Sequence, residues 1–452
     1  TVTYTPTTGF SGTDSFTFKA NDGTVDSATK TVTIKVIDGY RSIANQIGAD
    51  IDGEAGDYQG QSVSFNEDHT VMAVGAYGHD NNKGTVRTYT YNGTAWIQQG
   101  SDLDGEAGDG QGNSVSLSSD GTTLAVGANG HDGGKGTVRV YTYNGTAWSR
   151  QGSDLDGETN SDNQGGSVSL SSDGTTLAVG AFGHDVNKGT VRIYTYNGSS
   201  WSQQGSDLDG QAGNGFQGGS VSLSSDGTTL AAGFYGHDGG KGTVRVYTYN
   251  GTAWVQQGSD LDGETNSDRQ GNSVSLSSDG TTLAVGAFGH DSNKGTVRVY
   301  TYNGTAWSQQ GSDLDGGVDG LQETGGGYGQ GKSVSISSDG TILAVGANRH
   351  DSNKGTVKIF IYNGTAWVQQ GSDMDGTDID GRQGWSVSLS SDGTNLVVGA
   401  YYHGGVNGNG THISKGTVRV YNLINISPVA TAQSVTVTEQ VASNITLAGT
   451  DP

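Results

Sequence analysis

The chain has 452 residues, with 79 glycines, 3 prolines, no cysteine, and 46 acidic against 23 basic side chains for a formal net charge of −23. Glycine is at more than twice its usual share of about 7%, but the scarcity of proline excludes collagen, the absence of cysteine excludes disulfides and thiolate metal sites, and the acidity repels nucleic acid. Few aliphatic residues beside so much charge is a composition typical of disorder, and no apolar run approaches the ~20 residues of a membrane span.

Order along the chain overturns the reading of disorder. In residues 1–38 the run FSGTDSFTF is followed by NDG and by the alternating strand TVTIKV. This pattern resembles the C-terminal half of a bacterial cadherin-like or Ig-like module of giant surface adhesins. Residues 44–53, ANQIGADIDG, then parallel WSRQGSDLDG at residues 148–157, with Ala44 in place of the tryptophan.

From Ser62 onward one pattern recurs. The triplet SVS begins at Ser62, Ser114, Ser167, Ser220, Ser273, Ser333 and Ser386, at spacings of 52, 53, 53, 53, 60 and 53. Each repeat predicts four short strands: A (SVSLS), B (TLAVGA), C (GTVRVYTY) and D (AWSRQGSDL), with apolar residues alternating as in Val115/Leu117, Leu124/Val126 and Val138/Val140. Period-two alternation is the signature of a sheet. Asp-Gly between A and B and Asn-Gly between C and D signal tight hairpins, the latter predicting a two-residue type I′ turn.

Seven four-stranded units in a row predict an all-β, seven-bladed β-propeller over residues 39–424. The seventh repeat stops after strand C at Ile424, so residues 42–53 are expected to supply its outer strand and close the ring. Blades stack face to face, so small residues and glycines on one side become packing residues. Residues 425–452 resemble the N-terminal half of the Ig-like module, cut at Asp451–Pro452. The expectation is a window of a longer array, or a subunit whose ends meet neighbouring copies.

The stretches QGxSVSLSSDGT, LAVGAxGHD and GTVRVY resemble bacterial FG-GAP repeats, the family that includes integrin α heads. The resemblance implies a seven-bladed propeller. The family's Asp-rich calcium loop between strands A and B is replaced here by the short SSDGT, so calcium is not implied at that hairpin.

Acidic clusters do occur between strand D and the next strand A. They are Asp50, Asp52 and Asp57; Asp102, Asp104 and Asp109; Asp154, Asp156 and Asp162; Asp260, Asp262 and Asp268; and Asp313, Asp315 and Asp319, whereas the loop with Asp207 and Asp209 has Asn214 instead of a third acid. Alternate carboxylates near a glycine suit a hard cation such as Ca²⁺; the alternative is a turn whose carboxylates bond local N–H groups.

His-Asp pairs recur at His79, His131, His184, His237, His290, His350 and, with glycine following, His403, and an arginine of GTVR recurs at Arg87, Arg139, Arg192, Arg245, Arg298 and Arg419, with Lys358 once. Equivalent positions on seven blades cannot converge on one ion, so both are expected to be architectural.

Two insertions break the repeat, residues 316–332 between strands D and A and residues 401–415 between B and C, and both are expected on one face. With Arg349 and Trp385 replacing small residues, they nominate Tyr328, Arg349, Trp385, Tyr401, Tyr402 and His412 as a patch for a sugar or a protein; the alternative is loop drift. The expectations are an extracellular or cell-surface location, no catalysis, no membrane insertion and no nucleic acid. The leading function is a structural or adhesive repeat unit of a surface fibre, and the alternative is a glycan-binding propeller.

Overall fold

A computed structural model of the chain describes residues 12–19, 24, 26, 29–36, 41–211, 214–317, 328–404 and 414–425. The chain divides into two compact units, Thr1–Ile43 with Ile424–Pro452, and Ala44–Leu423. In the first, Gly12–Phe18 pairs antiparallel with Lys30–Val36, in register from Gly12↔Val36 to Phe18↔Lys30. The Ig-like half at residues 426–452, together with Asp319 and His412, lies outside the described residues.

The second unit is a seven-bladed β-propeller. Blade two illustrates the plan: Ser114–Leu117 (A), Thr123–Ala128 (B), Thr137–Tyr143 (C) and an outer strand split into Trp148–Arg150 and Leu155–Asp156 (D). Its register sets Val115 opposite Val126, Val126 opposite Arg139, and Tyr143 opposite Trp148. The outer strand is interrupted around Gly152, which is left-handed (φ 83°) and faces the indole of Trp201 in the next blade. In blade six the same strand runs unbroken over Trp367–Asp375.

Strand B is buried along its whole length, and the apolar core lies between blades rather than within them. Val71, Ala73 and Val86 of blade one pack with Val115, Leu117, Leu124, Val126 and Tyr141 of blade two. Leu124 and Val126 are fully buried, each contributing about 1.5–3 kcal/mol. Close approach requires glycine at the fifth position of strand B: a Cβ on Gly127 would lie 2.1 Å from the carbonyl oxygen of Gly165 in blade three.

The two serines of SVS stitch each blade to the next. The first hydroxyl donates to a glycine carbonyl of the following blade, from Ser62 Oγ to Gly112 (2.8 Å) round to Ser386 Oγ to Gly60 (2.8 Å). The second hydroxyl accepts the following blade's N–H, from Leu117 N–H to Ser64 Oγ (3.0 Å) round to Phe65 N–H to Ser388 Oγ (3.1 Å). Both rings close across the junction of blades seven and one. A hydrogen bond of this kind contributes about 0.5–1.5 kcal/mol, so the polar triplet is an inter-blade seam.

The N-terminal strand closes the last blade. Arg41–Gln46 neighbours Thr417–Asn425 in the sheet, and Ile51–Asp52 follows on the same strand with Thr417↔Asp52 and Val418↔Ile51.

Two turns differ from expectation. The C–D hairpin is a four-residue loop, not a type I′ turn: Gly145 alone has positive φ (96°), Asn144 N–H donates to Ala147 O (3.2 Å), and Asn144 Oδ1 accepts from the N–H groups of Thr146 and Ala147 (both 3.0 Å). The asparagine side chain, by bonding forward, replaces the second left-handed residue. In the B–C connection of blades one to six, three consecutive residues turn left-handed, as in Asp80, Asn81 and Asn82 (φ 48°, 60° and 64°). Asp, Asn and Gly tolerate that region, which otherwise costs about 1–2 kcal/mol per residue.

Candidate functional site

The strand-C arginine sets the chemistry of the D–A and B–C loops. Strand C is central in its blade, so the side chain of Arg139 lies buried beneath the face where those loops meet. Its Nη1 donates to Asp109 Oδ2 and Gln111 Oε1 (both 2.6 Å), and its Nε to Asp154 Oδ2 (3.0 Å). His131 Nδ1 lies 2.8 Å from Asp109 Oδ1. Arg87 repeats this with Asp57, Gln59, Asp102 and His79. Burial alone would raise the Asp57 carboxyl, but hydrogen bonds from the Glu54 N–H, His79 and Arg87 outweigh it and hold it below the usual range.

The acidic clusters seen in the sequence therefore do not converge. Asp50 pairs with Arg419 of blade seven (2.9 Å) while Asp57 pairs with Arg87 of blade one (2.9 Å). Asp102 likewise belongs to Arg87 and Asp109 to Arg139, and Asp154 belongs to Arg139 while Asp162 binds Thr159 and the N–H groups of Glu158 and Thr159. Asp260 serves Arg245, Asp268 binds Thr265 and the N–H groups of Glu264 and Thr265, and Asp313 serves Arg298. The second acids Asp52, Asp104, Asp156, Asp262 and Asp315 end the outer strands, exposed. The chain leaves the outer strand of one blade and enters the inner strand of the next, so neighbours in sequence face different arginines.

What comes together instead is a histidine with acids of its own blade: Asp50, Asp52 and His403; His79, Asp102 and Asp104; Glu158, His184 and Asp207; Glu264, His290 and Asp313; His350, Asp373 and Asp375, with donor atoms within 4.8 Å. A calcium ion takes six to eight oxygens. Each group offers an imidazole and two carboxylates, one already bound to a guanidinium or ammonium. This donor set does not fit calcium.

In two blades that lack the third acid, an aromatic ring stands against the strand-C cation instead. In blade four the Arg245 guanidinium lies 4.6 Å from the ring centre of buried Phe234. In blade six Tyr328 stands two residues before the buried Gln330, as Asp57 stands before Gln59; its hydroxyl donates to Asp373 (3.1 Å) and its ring packs on His350 (4.5 Å) and Lys358 (4.9 Å). Tyr328 is 8% exposed, so it belongs to the buried network and not to the surface patch expected of it.

The remaining patch residues do converge, with partners the sequence reading missed. Trp385 and Tyr401 have ring centres 4.0 Å apart and Tyr401 and Tyr402 4.3 Å, and across the ring closure Tyr58 stacks on Tyr77 (5.2 Å) and meets Tyr402 edge-on (5.4 Å). Cations lie against these rings: Lys332 Nζ is 4.1 Å from the Trp385 ring centre, and the Arg382 guanidinium is 4.7 Å from that of Tyr402, with Nη1 donating to Tyr401 Oη (3.2 Å). Arg349 lies 5.9 Å from the ring centre of Phe288 and raises the positive potential at Lys332. Burial pushes the Tyr401 phenol up. With the blades in register, Lys332 and Trp385 share a position that the other blades fill with Gln, Asn or Gly. Tyr58 and Arg382 share one that is elsewhere Gly, Asn, Phe216 or Arg269, and Tyr77 and Tyr401 share one that is aromatic in blades three to five as well.

Residues 48–90 match the profile of the FG-GAP repeat, and residues 1–35 match that of the bacterial Ig domain. No curated protein matches the chain. The propeller is thus FG-GAP-like with an Ig-like N-terminal flank, and both kinds of domain are typical of extracellular proteins.

Proposed function

We propose that the chain is an extracellular structural and adhesive repeat unit of a bacterial surface fibre or giant adhesin, in which the propeller binds and does not catalyse. The observation that carries this reading is the separation of roles on the propeller. Recurring side chains form the seams on seven blades and the arginine network on six, with Lys358 in its place on the other, while one face across blades six, seven and one gathers partly exposed aromatic and cationic groups. The FG-GAP and Ig-like matches supply the setting. The histidines most suggestive of catalysis bond aspartates of the buried network, as His79 bonds Asp57 and His131 bonds Asp109, each aspartate also held by an arginine. The aspartates that follow the histidines in sequence pair with lysines in blades one, three, five and six, and both arrangements argue for structure. Neighbouring copies joined through their Ig-like parts are the partners this reading implies.

Gold-labelled antibody against the propeller, applied to intact cells that make the protein, tests it: label is expected along surface fibres, and label confined to permeabilised cells would refute it. A second reading, a glycan-binding propeller, is favoured by the Trp385–Tyr401–Tyr402 cluster. Loss of surface binding to glycans in Trp385→Ala, with the fold retained, distinguishes the two.

A further inference from the structure

The chain carries a net charge of −23, and most of its arginines are consumed by carboxylates. Lys332, Arg349 and Arg382 lie together on one face, and like Arg269 of blade five they have no ion-pair partner among the described residues. The Nε of Arg382 is buried without a hydrogen-bond partner.

Two of these cations are held where a neutral or smaller residue would sit more easily. Arg382 precedes the buried Gln383 at a left-handed position (φ 57°), which blades two and six fill with Gly110 and Gly329 (φ 58° and 69°) and blade five with Arg269 (φ 56°). Lys332 is partly exposed, with its ammonium held over the Trp385 ring. Burial, with the charges of Arg349 and Arg382 added, pushes it down to about 8.

We propose that this face is a binding site for a carboxylated sugar, a uronic-acid residue of a glycan, with its carboxylate on Arg382, Lys332 and Arg349 and its pyranose ring against Tyr402 and the Tyr58–Tyr77 pair. Guanidinium and ammonium groups recognise a carboxylate by charge-assisted hydrogen bonds, and half-exposed rings around a few convergent polar groups suit a small ligand. An acidic protein wide enough to cover the patch would also meet the exposed Glu54 and Asp80 beside it; a short sugar meets the patch alone. This inference rests on the glycan-binding reading above and narrows it.

Isothermal titration calorimetry at low salt with a short oligogalacturonate, its methyl ester and a glutamate-rich peptide tests the site on the full chain. The acid sugar is expected to bind, with the ester and the peptide at least about tenfold weaker. Arg382→Gly and Lys332→Gln are each expected to lose about tenfold or more in affinity, the scale of one charged hydrogen bond, without a lower melting temperature. Equal binding of the ester overturns the anion site while leaving a neutral glycan reading intact. Equal binding of the peptide overturns the sugar assignment. No binding of either sugar overturns the inference, and full affinity in both variants overturns the assigned site while leaving a glycan-binding reading with its site elsewhere.

Discussion

Replacing Arg139 by leucine tests whether the arginine network supports the propeller. Its side chain is 1% exposed, bonded to Asp109 (2% exposed), Gln111 and Asp154. The substitution leaves Asp109 buried with its arginine gone, and removing one partner of a buried pair costs about 3–5 kcal/mol because the other charge stays uncompensated. Spread over the Ala44–Leu423 unit at ~2.1 cal/mol/K per residue, that lowers the melting temperature by about 4–6 °C. The double variant Arg139→Leu/Asp109→Asn is expected to recover part of the loss, since the orphan charge is then absent. Blade four is an internal control: Arg245 bonds Asp260 and stacks on Phe234, with no second buried acid, so Arg245→Leu is expected to cost less. Calorimetric melting of the four proteins reads the order. A loss under about 1 kcal/mol for Arg139→Leu, the level of an exposed pair, or a double variant no better than the single one, refutes the buried-charge account.

Three further outcomes follow from the same geometry. Val186 is 83% exposed and left-handed (φ 59°), where blades two and four have Gly133 and Gly239; Val186→Gly is expected to stabilise by about 1 kcal/mol, the ~1–2 kcal/mol of left-handed strain less the ~0.5–1 kcal/mol of added chain entropy, and a lower urea midpoint would contradict this. Gly127→Ala puts a methyl 2.1 Å from the Gly165 carbonyl oxygen, and the overpacking is expected to cost about 3 kcal/mol; a melting temperature within a degree of the parent would show that the blades part easily. Asp57, Asp109, Asp162 and Asp268 all have carboxyls held below the ordinary value in the fold. Their contribution is therefore fully present above the unfolded value of about 3.9 and is lost as pH falls through the lower folded values. Urea midpoints are expected to fall below about pH 4, less steeply in Asp109→Asn; an unchanged slope in that variant would remove the carboxylate from the account.

The blade plan and the ring closure were legible because their determinants are local and repeated. Strand alternation in Val115/Leu117, the Asp-Gly turn and the displaced ANQIGADIDG segment each depend on neighbours in the sequence. The acidic clusters misled for the opposite reason: Asp50 and Asp57 are seven apart in the chain yet face Arg419 and Arg87 on different blades. Adjacency there reflects the path between blades, not a shared site. Tyr328 was assigned to the surface because it lies beside an insertion, whereas its spacing from Gln330 matches that of Asp57 from Gln59 and places it inside.

The same repetition makes departures from it informative. In a propeller whose seams and buried network use the same residue types blade after blade, a side chain that differs at one position is not needed for closure. Blades two and six show that glycine suffices at the position of Arg382, and blades three and four have glycine (Gly166 and Gly219) at the positions of Lys332 and Trp385. Lys332 and Trp385 are larger than the Gly, Asn or Gln of the other blades, whereas arginine recurs at the position of Arg382 as Arg269 of blade five, and the cluster lies where blades six and seven meet the closing blade one. Packing explains the pattern the blades share; the proposed carboxylated sugar would account for Lys332 and Trp385 standing where the other blades have glycine, asparagine or glutamine.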